Sequence, residues 1–270
     1  MGRHEDAEER YKKALEMNPG NPFIRERLGR VLILERKIDQ AVDQYEELKR
    51  FAQGNLDFRM KLGLLYLDRD RHDDAINEFL FVLAAQPENS QVRFFLGTAY
   101  EEKGMFPESE REFRAIPESS PLYRDAMLHI AMSLGRRKRI GEAIEVTRKL
   151  REKFPEEVPL MIFLGTQLEE AKRYPEALGI LTEAVEKDPK NASARFSLGV
   201  IHDKMAVNVL ISSPLHRTQS LTGPALAPDP CTGAGSTLLT ALLFLYKSFK
   251  VGFAAVRHRT STSSRTYPGA

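Results

Sequence analysis

The sequence predicts an all-α solenoid of antiparallel helix pairs, followed by a largely irregular tail. Three observations predict this fold. Pairs made of an apolar and then a small residue recur along most of the chain, a second small residue follows twelve positions later, and proline closes most of the units. The pattern recurs every 34 residues, and a fixed period of this length is typical of stacked helix pairs.

The first helix of each unit is marked by the apolar–small pair. These pairs are Leu28-Gly29, Leu62-Gly63, Leu96-Gly97, Ile130-Ala131, Leu164-Gly165 and Leu198-Gly199. We expect the small residue to let the two helices of a unit approach closely, because a larger side chain there would push them apart.

The second helix of each unit is marked by a small residue and ended by a proline, which cannot continue a helix. The small residues are Ala41, Ala75, Ser109, Ala143 and Ala177. The prolines are Pro19, Pro87, Pro121, Pro155 and Pro189, and Gln53 interrupts this series once. In both helices of a unit the apolar residues follow helical spacing, and a polar turn separates the two helices.

An aromatic residue four positions after the second small residue, at Tyr45, Phe79 and Phe113, completes the pattern. Over residues 2–205 the sequence resembles the tetratricopeptide repeat family. The resemblance implies a right-handed solenoid whose first helices line a concave groove. It implies less about function, because one repeat scaffold serves many pathways.

The phasing divides the chain into a solenoid, 1–206, and a tail, 207–270. The solenoid contains partial repeats at 2–21 and 192–205 and five full repeats at 22–55, 56–89, 90–123, 124–157 and 158–191. The tail has a different composition, because Asp229 is its single acidic residue.

Within the tail, residues 237–256 are apolar enough to suggest a helix. A membrane-spanning helix needs about 20 mainly apolar residues, but Lys247 and Lys250 interrupt this segment. An amphipathic helix docked on the open end of the repeat stack is an alternative. We favour a third interpretation, in which a shifted reading frame or a chimeric gene end produced a tail not selected to fold with the repeats.

Composition and motifs argue against catalysis and against several classes of ligand. The net charge is +2 and Cys231 is the single cysteine, so neither a strong field for nucleic acid nor a cysteine metal cage is expected. The motifs of serine hydrolases, zinc proteases and P-loop enzymes are absent. We therefore predict a cytoplasmic, non-enzymatic protein with no cofactor, metal, nucleic acid or small-molecule substrate.

The candidate binding surface follows from the groove that the resemblance implies. Repeat positions 2, 5, 9, 12 and 13 of the first helices share one face at 100° per residue. Position 5 places apolar residues on the expected floor, at Met60, Phe94, Leu128, Ile162 and Phe196. Position 9 adds Leu64, Thr98, Met132 and Thr166, and positions 12 and 13 add the acidic residues Asp68, Glu101, Glu102, Glu169 and Glu170.

An exposed apolar stripe of this length marks an interaction site, so we expect a protein or peptide partner with apolar anchors and a basic edge. The competing interpretation is that a tight superhelix buries these side chains between neighbouring first helices. Two other roles remain open: the recruiting arm of a larger enzyme or secretion complex, and a membrane-tethered adaptor that uses residues 237–256.

Overall fold

The computed structural model describes residues 2–212, which form twelve α-helices and, within that range, no strand. The first helices of the pairs are α2 (Pro22–Leu34), α4 (Leu56–Asp68), α6 (Ser90–Glu102), α8 (Tyr123–Arg136), α10 (Val158–Glu170) and α12 (Ala192–Ser212). The second helices are α1 (Gly2–Met17), α3 (Ile38–Phe51), α5 (His72–Ala85), α7 (Phe106–Arg114), α9 (Ile140–Lys153) and α11 (Tyr174–Lys187).

Each helix packs mainly on its neighbours in the chain, as expected for a stack of repeated units. The prediction of an all-α solenoid of antiparallel helix pairs is confirmed.

The first helices begin at a capping asparagine in four repeats. The side-chain oxygens of Asn21, Asn55, Asn89 and Asn191 accept hydrogen bonds from backbone N–H groups two or three residues later, at 3.0–3.2 Å. These N–H groups have no partner inside the helix, so a side-chain acceptor stabilises its start.

The turn within each full repeat contains one residue with a left-handed backbone. These residues are Arg36, Asp70, Gly104, Lys138 and Lys172, with φ between 57° and 81°. They lie 34 residues apart and reverse the chain between the two helices of a pair. Only one of the five is glycine, although a positive φ favours glycine strongly.

The small residue of the first helix accommodates a ring rather than a neighbouring backbone. A Cβ added to Gly29, Gly63 or Gly97 would lie 2.6–2.8 Å from the ring at position 24 of the same repeat. In the fourth repeat, Ala131 takes the place of glycine and the buried Thr147 takes the place of the ring. A glycine at position 8 therefore accompanies a ring at position 24 in these repeats, and the larger alanine accompanies the smaller threonine.

The last described helix runs past the predicted end of the solenoid. The partial repeat was expected to end at residue 205, and the tail to start at 207, but α12 continues to Ser212. Ala206, at position 15 of this repeat, stays within the helix, whereas position 15 of the full repeats has a positive φ. The rest of the predicted tail, including the proposed helix at 237–256, lies outside the described residues.

None of the helices within residues 2–212 combines the length and hydrophobicity required to cross a membrane.

Candidate functional site

Side chains at positions 2, 5, 9, 12 and 13 of the first helices form what we call the first-helix face. Consecutive first helices contact each other between α4 and α6 and between α10 and α12. Because the repeats share one phase, the same positions line the face in each unit.

Most of the predicted floor is partly accessible to solvent. Five apolar residues at positions 5 and 9 show intermediate burial: Met60, Leu64, Leu128, Met132 and Ile162. Solvent therefore reaches an apolar strip that extends over α4, α8 and α10. Their role in binding a partner remains a prediction.

Phe94 is a correction to the predicted floor. Its side chain is 4% exposed, because two rings cover it: its centroid lies 5.4 Å from that of Phe113 on α7 and 5.3 Å from that of His129 on α8. The expectation that Phe94 is an exposed anchor is therefore wrong. Phe94 belongs to the packing between α6, α7 and α8.

Phe196 at the same repeat position is 68% exposed. Within the described residues no first helix follows α12, so nothing covers this ring as α8 covers Phe94. His202 of the same helix is exposed as well. A large aromatic surface is thus accessible at the end of the first-helix face.

The two threonines of the predicted floor direct their hydroxyl groups to their own helices. Thr98 donates to the carbonyl of Phe94 at 3.0 Å, and Thr166 donates to the carbonyl of Phe163 at 2.8 Å. Both side chains are half-buried, and their hydroxyl donors are already used, so they contribute methyl groups to the face.

The acidic edge is partly neutralised within the chain. Nδ1 of His129 lies 2.8 Å from Oε2 of Glu101, and Arg136 pairs with the other oxygen of that carboxylate. Burial alone would raise the pKa of Glu101, but the hydrogen bond from His129 and the charge of Arg136 outweigh it and hold the pKa below its ordinary value. Glu101 is therefore a structural ion-pair partner as well as a groove residue.

The other acidic residues lie nearer to solvent. Glu170 is 3.2 Å from Lys138, whose side chain is 82% exposed, and Glu102 is 3.7 Å from His72. Exposed pairs of this kind contribute little free energy. Asp68 is exposed and Glu169 is half-buried.

Two further apolar residues of this face lie outside the predicted set. Phe23 and Leu34, at positions 2 and 13 of the first full repeat, are 77% and 53% exposed. The repeat phasing already assigns both to the first-helix face, so the signal was present in the sequence. Between them on the same helix, Glu26 pairs with Lys61 of α4 at 2.8 Å.

Three models of the tetratricopeptide repeat match the chain. They cover residues 1–65, residues 60–123 and 164–204, and residues 125–157. No curated protein matches the sequence.

Solved structures share the fold at low sequence identity. YrrB, described as "a TPR protein with an unusual peptide-binding site", has a TM-score of 0.51 and 19% identity, over 69% of this chain and 96% of that one. A repeat protein from Cytophaga hutchinsonii has a TM-score of 0.63 and 14% identity, over 79% and 86%. One from Parabacteroides merdae has a TM-score of 0.55 and 20% identity, over 77% and 81%.

These similarities agree with the helix count, the period and the repeat positions of the described residues. Tetratricopeptide proteins are typically non-catalytic interaction scaffolds, and the fold supports such a role here. The chain belongs to the tetratricopeptide repeat family.

Proposed function

We propose that the chain binds a segment of a partner protein in a concave groove formed by the first-helix face. The observation that carries the proposal is the half-exposed apolar strip of Met60, Leu64, Leu128, Met132 and Ile162. The repeat cores do not need these side chains to be accessible, since a separate row that includes Leu62, Leu96 and Leu164 is fully buried.

The binding free energy would come mainly from apolar burial. Removing apolar surface from water stabilises a complex by about 25 cal/mol per Å², and a few large anchors supply most of the affinity in such interfaces. Phe196, and at the other end Phe23, offer the most accessible aromatic surface on the face. The partner is therefore an amphipathic helix or an extended segment with apolar anchors.

The acidic residues on α10 are the best candidates to contact a basic edge of the partner. Glu169 lies there, and Glu170 is paired only with the exposed Lys138 among the described ion pairs. A lysine or arginine of the partner can replace that weak pair at small cost. Glu101 is less suited to this role because His129 and Arg136 already occupy its carboxylate.

The fold of YrrB supports the proposal at the level of architecture alone, since that structure is described as having a peptide-binding site.

The test starts from peptides selected against the full chain from a random display library. Their affinities are measured for the wild type, Leu64→Asp, Phe196→Asp and Leu80→Asp, with circular dichroism to check helical content. Leu80 lies on α5, outside the first-helix face, and is 44% exposed, so Leu80→Asp is the matched control. We expect the first two variants to weaken binding at least tenfold and the control to leave it unchanged. Weakening by Leu80→Asp alone would refute the groove.

A further inference from the structure

The side of α12 that would receive a second helix is uncovered in the described structure. In complete repeats, position 8 receives a side chain from position 24, but a Cβ added to Gly199 meets nothing within 4 Å. Positions 4, 8 and 11 of α12 are Arg195, Gly199 and His202, and all three are exposed. We call these three residues the open face of α12.

Position 4 has its own pairing rule in the first three full repeats. An arginine at this position donates a hydrogen bond to the side chain at repeat position 23, which lies on the second helix. The pairs are Arg25 with Gln44 at 3.2 Å, Arg59 with Glu78 at 2.9 Å, and Arg93 with Glu112 at 3.0 Å. In each case the same guanidinium also donates to a backbone carbonyl six residues earlier. In the next two repeats both positions are apolar, with Met127 and Val146, then Met161 and Ile180.

Arg195 has half of this arrangement. Its Nε donates to the carbonyl of Pro189 at 2.7 Å, as the arginines at position 4 of the first three full repeats do with their own backbone carbonyls. Among the described residues, no glutamate or glutamine at position 23 accepts a hydrogen bond from Arg195. An arginine held in this way presents its remaining N–H groups for a carboxylate or amide.

Residues 206–212 continue α12 and so do not turn back onto its open face. Internal repeats turn back at position 15 through a residue with positive φ, whereas α12 stays helical to Ser212. Within residues 2–212, no helix follows α12 as the second helix of the sixth repeat.

We infer that the open face of α12 binds a helix of a partner protein that completes the sixth repeat. The pairing rules define its sequence: a small residue, then Glu or Gln three positions later, then an aromatic residue or Leu, and an apolar residue three positions after that. The chain's own α5 shows the pattern with Ala75, Glu78, Phe79 and Val82. The acid would pair with Arg195 and the ring would lie on Gly199.

Two other occupants fit less well. The α1 helix of a second copy offers Ala7, Tyr11 and Ala14, but it places Arg10 opposite Arg195, which is a repulsion between like charges. Residues 213–270 contain one acid, Asp229, followed by Pro230, and one glutamine, Gln219, followed by Ser220. Neither is followed by a ring or Leu, so this part of the chain lacks the pattern.

The probe is a fluorescent peptide with the sequence of residues 105–117, which carries Ser109, Glu112, Phe113 and Ile116 at the four pattern positions. Fluorescence anisotropy measures its binding to the full chain. Arg195→Glu should weaken binding about tenfold, since a charge-assisted hydrogen bond contributes about 1.5–3 kcal/mol. A peptide with Glu112→Arg should show the reverse preference and bind Arg195→Glu better than the wild type.

Substitution of Gly199 provides a second, independent test. Gly199→Leu should abolish binding because the side chain fills the space for the ring. Gly179→Leu is the matched control, since Gly179 on α11 is also exposed and has nothing within 4 Å. The wild type failing to bind would mean that a second copy or residues 213–270 cover the face, and would overturn the inference. Binding that survives both Arg195→Glu and Gly199→Leu would overturn it too.

Discussion

At the scale of single residues, repeat position alone does not decide whether a side chain is exposed. Phe94 and Phe196 share position 5, but the first is 4% exposed and the second 68%. The difference arises because His129, on the following first helix, covers Phe94. The sequence supplies the position of each residue within its repeat, whereas burial depends on which side chains the two adjacent repeats contribute.

This pair gives a direct prediction about stability. Phe94→Ala should lower the free energy of unfolding by about 3–5 kcal/mol, because it leaves a cavity among packed rings. Phe196→Ala should change it by less than about 0.5 kcal/mol, as expected for an exposed side chain. Urea unfolding followed by circular dichroism measures both. Equal effects of the two substitutions would contradict the burial assigned to Phe94.

The left-handed turn residues give a second prediction at this scale. Lys172 has φ 59° and Gly104 has φ 81° at the same repeat position. Lys172→Gly should stabilise the chain by about 0.5–1 kcal/mol, because glycine adopts this backbone without the steric cost of a Cβ. Gly104→Ala should destabilise it by about 1 kcal/mol.

Thermal unfolding midpoints of these two variants test the turn. A Lys172→Gly variant less stable than the wild type would show that the turn does not hold this backbone conformation.

At the scale of helices, first and second helices pack through two pairs of repeat positions, and the residue types within each pair are matched. Glycine at position 8 accompanies a large side chain at position 24, while Ala131 accompanies Thr147. Arginine at position 4 accompanies an amide or acid at position 23, and methionine accompanies an aliphatic residue. The repeat pattern predicts the small residue at position 8 but not the ring that it accommodates, because that ring is 16 residues away in the sequence.

The second of these rules predicts coupling between Arg93 and Glu112, which is 8% exposed. Arg93→Met and Glu112→Val should each cost about 2–4 kcal/mol, because each leaves a largely buried polar group without its main partner. The double variant resembles the pairs at Met127 and Met161 and should cost less than the sum of the two.

A double-mutant cycle in urea measures that coupling. Additive effects of the two substitutions would show that the pair is not a unit.

At the scale of the whole molecule, the fold was predictable and the surface only partly so. A 34-residue period requires each repeat to pack on the next, and cross-repeat ion pairs such as Lys61 with Glu26 and Arg124 with Glu157 reinforce that stacking. The period could not reveal that α12 continues to Ser212, since the turn position holds no fixed residue type in the other repeats. It also could not show that His129 and Arg136 neutralise Glu101, because these contacts span two repeats.

The proposed binding of a partner segment to the first-helix face can be tested by hydrogen–deuterium exchange of the full chain, with and without a selected peptide. We expect slower exchange in the first helices α4, α8 and α10 when the peptide is bound. Slower exchange confined to the second helices α3, α5, α7 and α9 would contradict it.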